Sequence, residues 1–112
     1  MPFLPKPKAW HWTAHARFKM KFYGLSEARV RRIVNSPKRI EEGIAPKTVA
    51  MMQVAGSAKH PYELWTMIVD EKSRRKVISA WRYPGVTKPK SEIAINFLKQ
   101  EYNEFNSKKE YT

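Results

Sequence analysis

The chain has 112 residues, with 22 Lys and Arg against 10 Asp and Glu, and no Cys. This length fits one domain with one core, and a hydrophobic share of 42% argues against wholesale disorder. The formal charge of +12 favours polyanion partners, nucleic acid first among them, while the absence of Cys excludes disulfides, thiolate metal sites and Cys nucleophiles.

No run of about 18 apolar residues occurs, so no membrane-spanning helix is expected. Pro2, Pro5 and Pro7 interrupt the N-terminus, which lacks the apolar centre of a signal peptide. The expected location is cytoplasmic, and no membrane partner is expected.

Residues 1–8 read as a flexible, basic, Pro-rich arm. Ala9 to Trp12 predicts a short strand, with Trp10 and Trp12 on one face. Thr13 caps a helix running to about Tyr23, which Gly24 ends. Ser26 caps a second helix, with Glu27 in its first turn and Val30, Ile33 and Val34 as its apolar stripe. Asn35 and Pro37 close it. A short strand over Arg39 to Glu42 is followed by three longer ones: Lys47 to Ala55, Tyr62 to Val69 and Lys76 to Tyr83. Asp70 to Arg74 forms the turn between the last two. Val86 to Lys90 is a basic linker, and Ser91 to Phe105 predicts a third helix with a broad apolar face. Residues 106–112 read as a frayed tail, leaving a single domain over residues 9–105. The order is (β)ααβββα, an α+β arrangement with helices set apart from an antiparallel sheet.

At about 100° per residue, the first helix carries two apolar groups: Ala14, Phe18 and Phe22, and Ala16, Met20 and Tyr23. His15 and Lys19 fall between them, one turn apart, where the helix meets the rest of the domain. A lysine there needs a reason, such as a cleft between helix and sheet. Arg17 and Lys21 occupy the opposite, wet face. On the last strand, alternation puts Lys76, Ile78, Ala80 and Arg82 on one face and Val77, Ser79, Trp81 and Tyr83 on the other. Arg82 offers a bidentate fork for phosphate. Tyr83 offers a hydroxyl and a stacking surface.

Several of these residues carry a resemblance. Thr13-Ala14-His15-Ala16, Lys19-Met20 and Gly24-Leu25-Ser26 resemble the opening of the DUF4258 family, whose pattern is roughly T-x-H-A-x-x-R-M-x-x-R-G-I-S. Lys19 and Tyr23 stand at the two Arg positions. Asn35-Ser36-Pro37 is similar to the turn after that family's second helix, and Lys76 to Arg82 to its closing strand. The last strand and following helix also resemble the BrnT toxins, relatives of the RelE/ParE superfamily. The resemblance covers roughly residues 10–84. It implies a RelE-like α+β fold, with two N-terminal helices packed on a small antiparallel sheet and a C-terminal helix after it. It also implies a toxin-like, metal-independent ribonuclease of the mRNA-interferase type, from a toxin–antitoxin or mobile-element system. The implied partners are RNA, including ribosome-bound mRNA, and an antitoxin protein.

Metal-free RNA cleavage needs a base, an acid and a cation for the phosphorane. His15, of the residue type that exchanges protons near neutrality, serves as base or acid in this reading. Lys19 and Arg82 hold the phosphate, and Tyr83 assists as an acid or stacks on a base. Arg17, Lys21, Arg29 and Arg32 are expected phosphate contacts, and Trp81 an aromatic surface for bases. His11 and His15 have helical zinc spacing, but the Glu of H-E-x-x-H and a third ligand are missing, so neither metal nor cofactor is expected. The alternatives are a non-catalytic RNA- or DNA-binding module and a protein-interaction module using a sheet edge.

Overall fold

The computed structural model describes residues 9–43, 45 and 47–107. They form β1 (Ala9–Trp12), α1 (Ala14–Tyr23), α2 (Glu27–Asn35), β2 (Arg39–Glu42), β3 (Thr48–Gly56), β4 (Pro61–Asp70), β5 (Arg74–Tyr83) and α3 (Glu92–Ser107). The arm at 1–8 and residues 108–112 of the expected tail lie outside the described residues. Residues 106 and 107 belong to α3 rather than to a frayed end. The class is α+β.

The helix boundaries follow from capping. Thr13 is extended, and its Oγ1 accepts from the Ala16 N–H. Gly24 closes α1 in the left-handed region at φ 71°, where a side chain is strained. Ser26 Oγ accepts from the Arg29 N–H and starts α2. Each cap of this kind contributes about 1 kcal/mol.

The strand order is β1-β5-β4-β3-β2. β2 to β5 pair antiparallel, but β1 lies parallel to β5, with Ala9 opposite Arg74 and Trp12 opposite Val77. The sheet is therefore mixed, which corrects the antiparallel expectation. β1 and β5 are distant in sequence, so no hairpin dictates their direction.

A bulge in β5 corrects the expected face assignment. Met67 pairs with Ser79 and Ile68 with Val77, leaving Ile78 as the extra residue. Alternation therefore slips by one there. Val77 and Ala80 join the core beneath α1 and α2, with Met20, Ile33, Met51 and Leu64. Ile78 and Trp81 join the opposite core beneath α3, with Met52, Trp65, Leu98 and Phe105. The sheet is thus covered on both faces.

α1 has a special position. β1 pairs only with the first half of β5, and the Thr13 N–H continues that pairing onto the Val77 carbonyl at 3.3 Å. The chain then coils, and α1 runs beside the rest of β5, shielding a strand edge that otherwise offers unpaired backbone groups. A helix at an edge buries a narrow stripe, here His15, Ala16 and Met20. The expected apolar group Ala14, Phe18 and Phe22 instead faces water: Phe18 is 59% exposed and Phe22 70%.

Candidate functional site

Thr13 sets the rotation of α1. Its hydroxyl lies 3.0 Å from the Val77 carbonyl and 3.3 Å from that of Ile78, at the bulge. With the first turn fixed there, His15 and Lys19 point across the β5 edge toward α3. His15 Nε2 lies 3.4 Å from Glu101 Oε1, and Lys19 Nζ lies 2.8 Å from Glu101 Oε2. Ser79, brought to this side by the bulge, donates its hydroxyl to Glu101 Oε1 at 2.5 Å. One carboxylate from α3 thus joins two residues of α1 and one of β5. His15 is 3% exposed and Glu101 1%.

Burial by itself pushes the Glu101 carboxyl up. The hydrogen bonds from His15, Lys19 and Ser79, with the Lys19 charge, outweigh burial and hold it below the usual carboxylate range. Burial likewise acts to lower Lys19. Its hydrogen bond and attraction to Glu101, then Tyr23 and Glu104, overcome this and raise it. Lys19 Nζ also lies 5.3 Å from the Tyr23 ring centroid, within cation–π range.

His15, Glu101 and Glu104 place donor atoms within 4.8 Å of one another. The Lys19 ammonium already lies against both carboxylates, at 2.8 and 3.8 Å. Both acids therefore share one cation of the chain itself, Lys19. The arrangement is a polar joint between α1 and α3, centred on the buried Glu101 carboxylate, in which the buried His15 Nδ1 has no hydrogen-bond partner among the described residues.

Sequence reasoning missed Glu101, although a signal was present. Ala94, Leu98 and Phe105 are buried on α3, and Glu101 stands three residues after Leu98 and four before Phe105. An acid on that stripe demands a partner.

Arg82 and Tyr83 do not join this set. They are successive strand residues and point to opposite faces. The Arg82 guanidinium lies 4.5 Å from the Tyr62 ring centroid. Tyr83 packs edge-on against Phe97 of α3, centroids 5.6 Å apart. Trp81 corrects the sequence expectation: it is 1% exposed and stacked on Trp65 at 5.8 Å, so it has no face for a base.

A second buried network lies on the α3 side. Glu63 accepts from the Trp65 indole N–H at 2.9 Å and from the Thr87 N–H and hydroxyl, each at 2.8 Å. Arg39 donates to the Thr87 carbonyl at 2.8 Å, and its Nε lies 3.0 Å from Glu41 Oε2. The segment expected as a basic linker is thus anchored at Thr87, and again at Lys90, whose N–H donates to Glu41 Oε2 at 2.9 Å.

The outer surface of α1 and α2 has a different character. Arg17, Phe18, Lys21 and Phe22 are all exposed along α1. Glu27 of α2 lies 3.2 Å from Arg17 and 3.6 Å from Arg31. Arg31 in turn stands over Trp10 and Trp12, 5.6 and 5.7 Å from their centroids, and those two rings stack at 5.4 Å. Arg32 is exposed beside it. Arg29 is half-buried and donates to Gln53 Oε1, so it contributes to packing as much as to this surface.

The chain matches no protein-family model, no curated protein and no solved structure. Among the described residues, no helix is long and apolar enough to cross a membrane.

Proposed function

We propose that this domain binds single-stranded RNA without cleaving it, through the outer surface of α1 and α2. The observation that carries the reading is the pair Phe18 and Phe22, one turn apart and exposed, each directly following an exposed cation, Arg17 and Lys21. Large exposed apolar rings interleaved with cations suit a strand whose bases stack while its phosphates pair with the flanking charges. Trp10, Trp12 and Arg31 extend that chemistry along the same surface. The net charge of +12 supplies the attraction at a distance. A RelE-like arrangement of the two N-terminal helices on the sheet belongs to this reading.

The test is binding of a labelled single-stranded RNA to wild type and to Phe18→Ser/Phe22→Ser. Stacking contributes about 1–3 kcal/mol per base, so the double variant loses at least about tenfold in affinity while keeping its melting temperature. Unchanged affinity overturns the proposal.

A toxin-like, metal-independent ribonuclease is the second reading, favoured by the convergence of His15 and Lys19 on one carboxylate. Catalysis there requires α1 to part from α3, because His15 has no open face. RNA integrity during induced expression of wild type and His15→Ala separates the readings. Cleavage that the variant abolishes selects the enzyme and a possible antitoxin partner; intact RNA with both selects the binding module.

A further inference from the structure

At the end of the sheet remote from the β4–β5 turn, a cleft of about 460 Å³ is lined by Lys59, His60, Tyr62, Arg82 and Pro84, among others. That volume falls in the range of about 300–1,000 Å³ usual for small-ligand sites. The lining contains three basic side-chain types and no acid. Among the described strand arginines, Arg39, Arg74 and Arg75 lie against carboxylates. Among the described residues Arg82 has no carboxylate partner, and its guanidinium carbon instead lies 4.5 Å from the Tyr62 ring centroid. An arginine held by an aromatic face keeps its in-plane N–H groups available, the edge that recognises a phosphate bidentately. The β3–β4 turn delivers the remaining donors. Gly56 has φ 83°, and a Cβ there meets the His60 carbonyl at 2.4 Å. The tight turn therefore depends on glycine and keeps Lys59 and His60 beside the Arg82 end of β5.

We propose that this cleft binds the phosphomonoester of a nucleotide. Arg82 takes the phosphate in its fork, Lys59 and His60 complete the donor set, and the sugar and base lie against Tyr62 and Pro84. A dianionic monoester suits this concentration of donors better than a singly charged diester within a strand. The shared chemistry has two sources, a free mononucleotide and the phosphorylated end of a strand. The proposal rests on the RNA-binding reading and adds to it a site for the strand's end.

The test compares AMP with adenosine, and 5′-phosphorylated with 5′-hydroxyl oligoadenylate, on the full chain by titration and amide NMR. The phosphate strengthens binding at least about tenfold, the effect of a charge-assisted contact, and shifts the Tyr62 and Gly85 amides. Arg82→Ala abolishes that difference. Arg82→Lys, which keeps charge but not the fork, restores only part of it. Lys72→Ala removes one charge at the opposite end of the same strands and leaves it intact. A phosphate with no effect, or an equal loss in Lys72→Ala, overturns the proposal. A response to AMP alone identifies the free nucleotide as the ligand, and one to the oligonucleotide alone identifies the strand end. Binding of the 5′-hydroxyl strand that depends on Phe18 and Phe22, without any phosphate effect, removes the cleft site and leaves the RNA reading standing. AMP bound at the cleft without any strand binding does the reverse.

Discussion

Lys19 Nζ and Glu101 Oε2 stand 2.8 Å apart across the joint between α1 and α3. The pair links helices that belong to opposite faces of the sheet, so its cost and benefit fall on the assembly of the layers rather than on either helix. Burying an ion pair is not in itself stabilising, but removing one partner strands the other. Glu101→Ala leaves Lys19, His15 and Ser79 without their common acceptor and will destabilise the domain by about 3 kcal/mol. Lys19→Met will cost less, about 1–3 kcal/mol, because Glu101 keeps two donors. The double variant will be more stable than the sum of the singles predicts, by about 1–3 kcal/mol. Urea unfolding of the four proteins measures the cycle, and additivity excludes the coupling.

The same pair sets a pH window. Glu101 is held below its ordinary value near 4.5 in the folded state. It therefore contributes stability that is present above the unfolded value and is lost as pH falls through the folded one. Lys19 is raised above its ordinary value near 10.5. Its contribution is present below that value and is lost as pH rises through the raised one. Melting temperature will show a plateau between the two limbs, and Glu101→Gln will flatten the acid limb. A variant with an unchanged acid limb rules out Glu101 as its source.

How much of this was legible in the sequence depends on the kind of contact. Capping is local, and Thr13, Gly24 and Ser26 fixed both helix starts and one end correctly. Strand extents were right to within two residues because Gly56 and the polar turn after Asp70 mark them. Placement of His15 and Lys19 at an interior joint also followed from helical spacing. What sequence could not supply was non-local. The parallel pairing of β1, the extra residue at Ile78 and the choice of water over core for Phe18 and Phe22 are all set by where α1 lies against β5. Trp81 read as a recognition surface because a strand aromatic looks alike on either face; only the bulge and α3 decide that it is core.

Thr87 provides a third measurement. Its hydroxyl and N–H both donate to Glu63, whose carboxylate is fully buried. Thr87→Val keeps shape and backbone donor but removes the hydroxyl, leaving part of a buried charge less well solvated. The variant will lose about 1–3 kcal/mol. Native-state hydrogen exchange at residues 85–90 will rise with it, since the segment depends on this anchor. Unchanged exchange there removes Thr87 as the fastening point.

The basic surface of α1 makes a prediction in salt. Arg17→Ala/Lys21→Ala removes two exposed cations without touching the core, so the stability change will stay within about 0.5 kcal/mol. For a single strand, each phosphate contact contributes about 0.7 to the slope of log affinity against log salt. The double variant will lower that slope by roughly 1.4 units. Phe18→Ser/Phe22→Ser will weaken affinity at every salt concentration and leave the slope as it was. A slope unaffected by the charge variant places the phosphates elsewhere on the domain.

All four tryptophans fall into two stacked pairs. Trp65 and Trp81 lie parallel within 1° in the interior, and Trp10 and Trp12 lie 14° apart at the partly open edge beside Arg31. Indoles this close couple in the excited state, so each pair acts as a single chromophore with its own sign and shape in near-ultraviolet circular dichroism. The inner chromophore emits at shorter wavelength and vanishes only when the sheet comes apart. The outer one changes when β1 lifts from β5 or when a ligand draws Arg31 away. The chain thus carries two built-in optical signals, one for the integrity of its interior and one for events at its edge, readable without any added label.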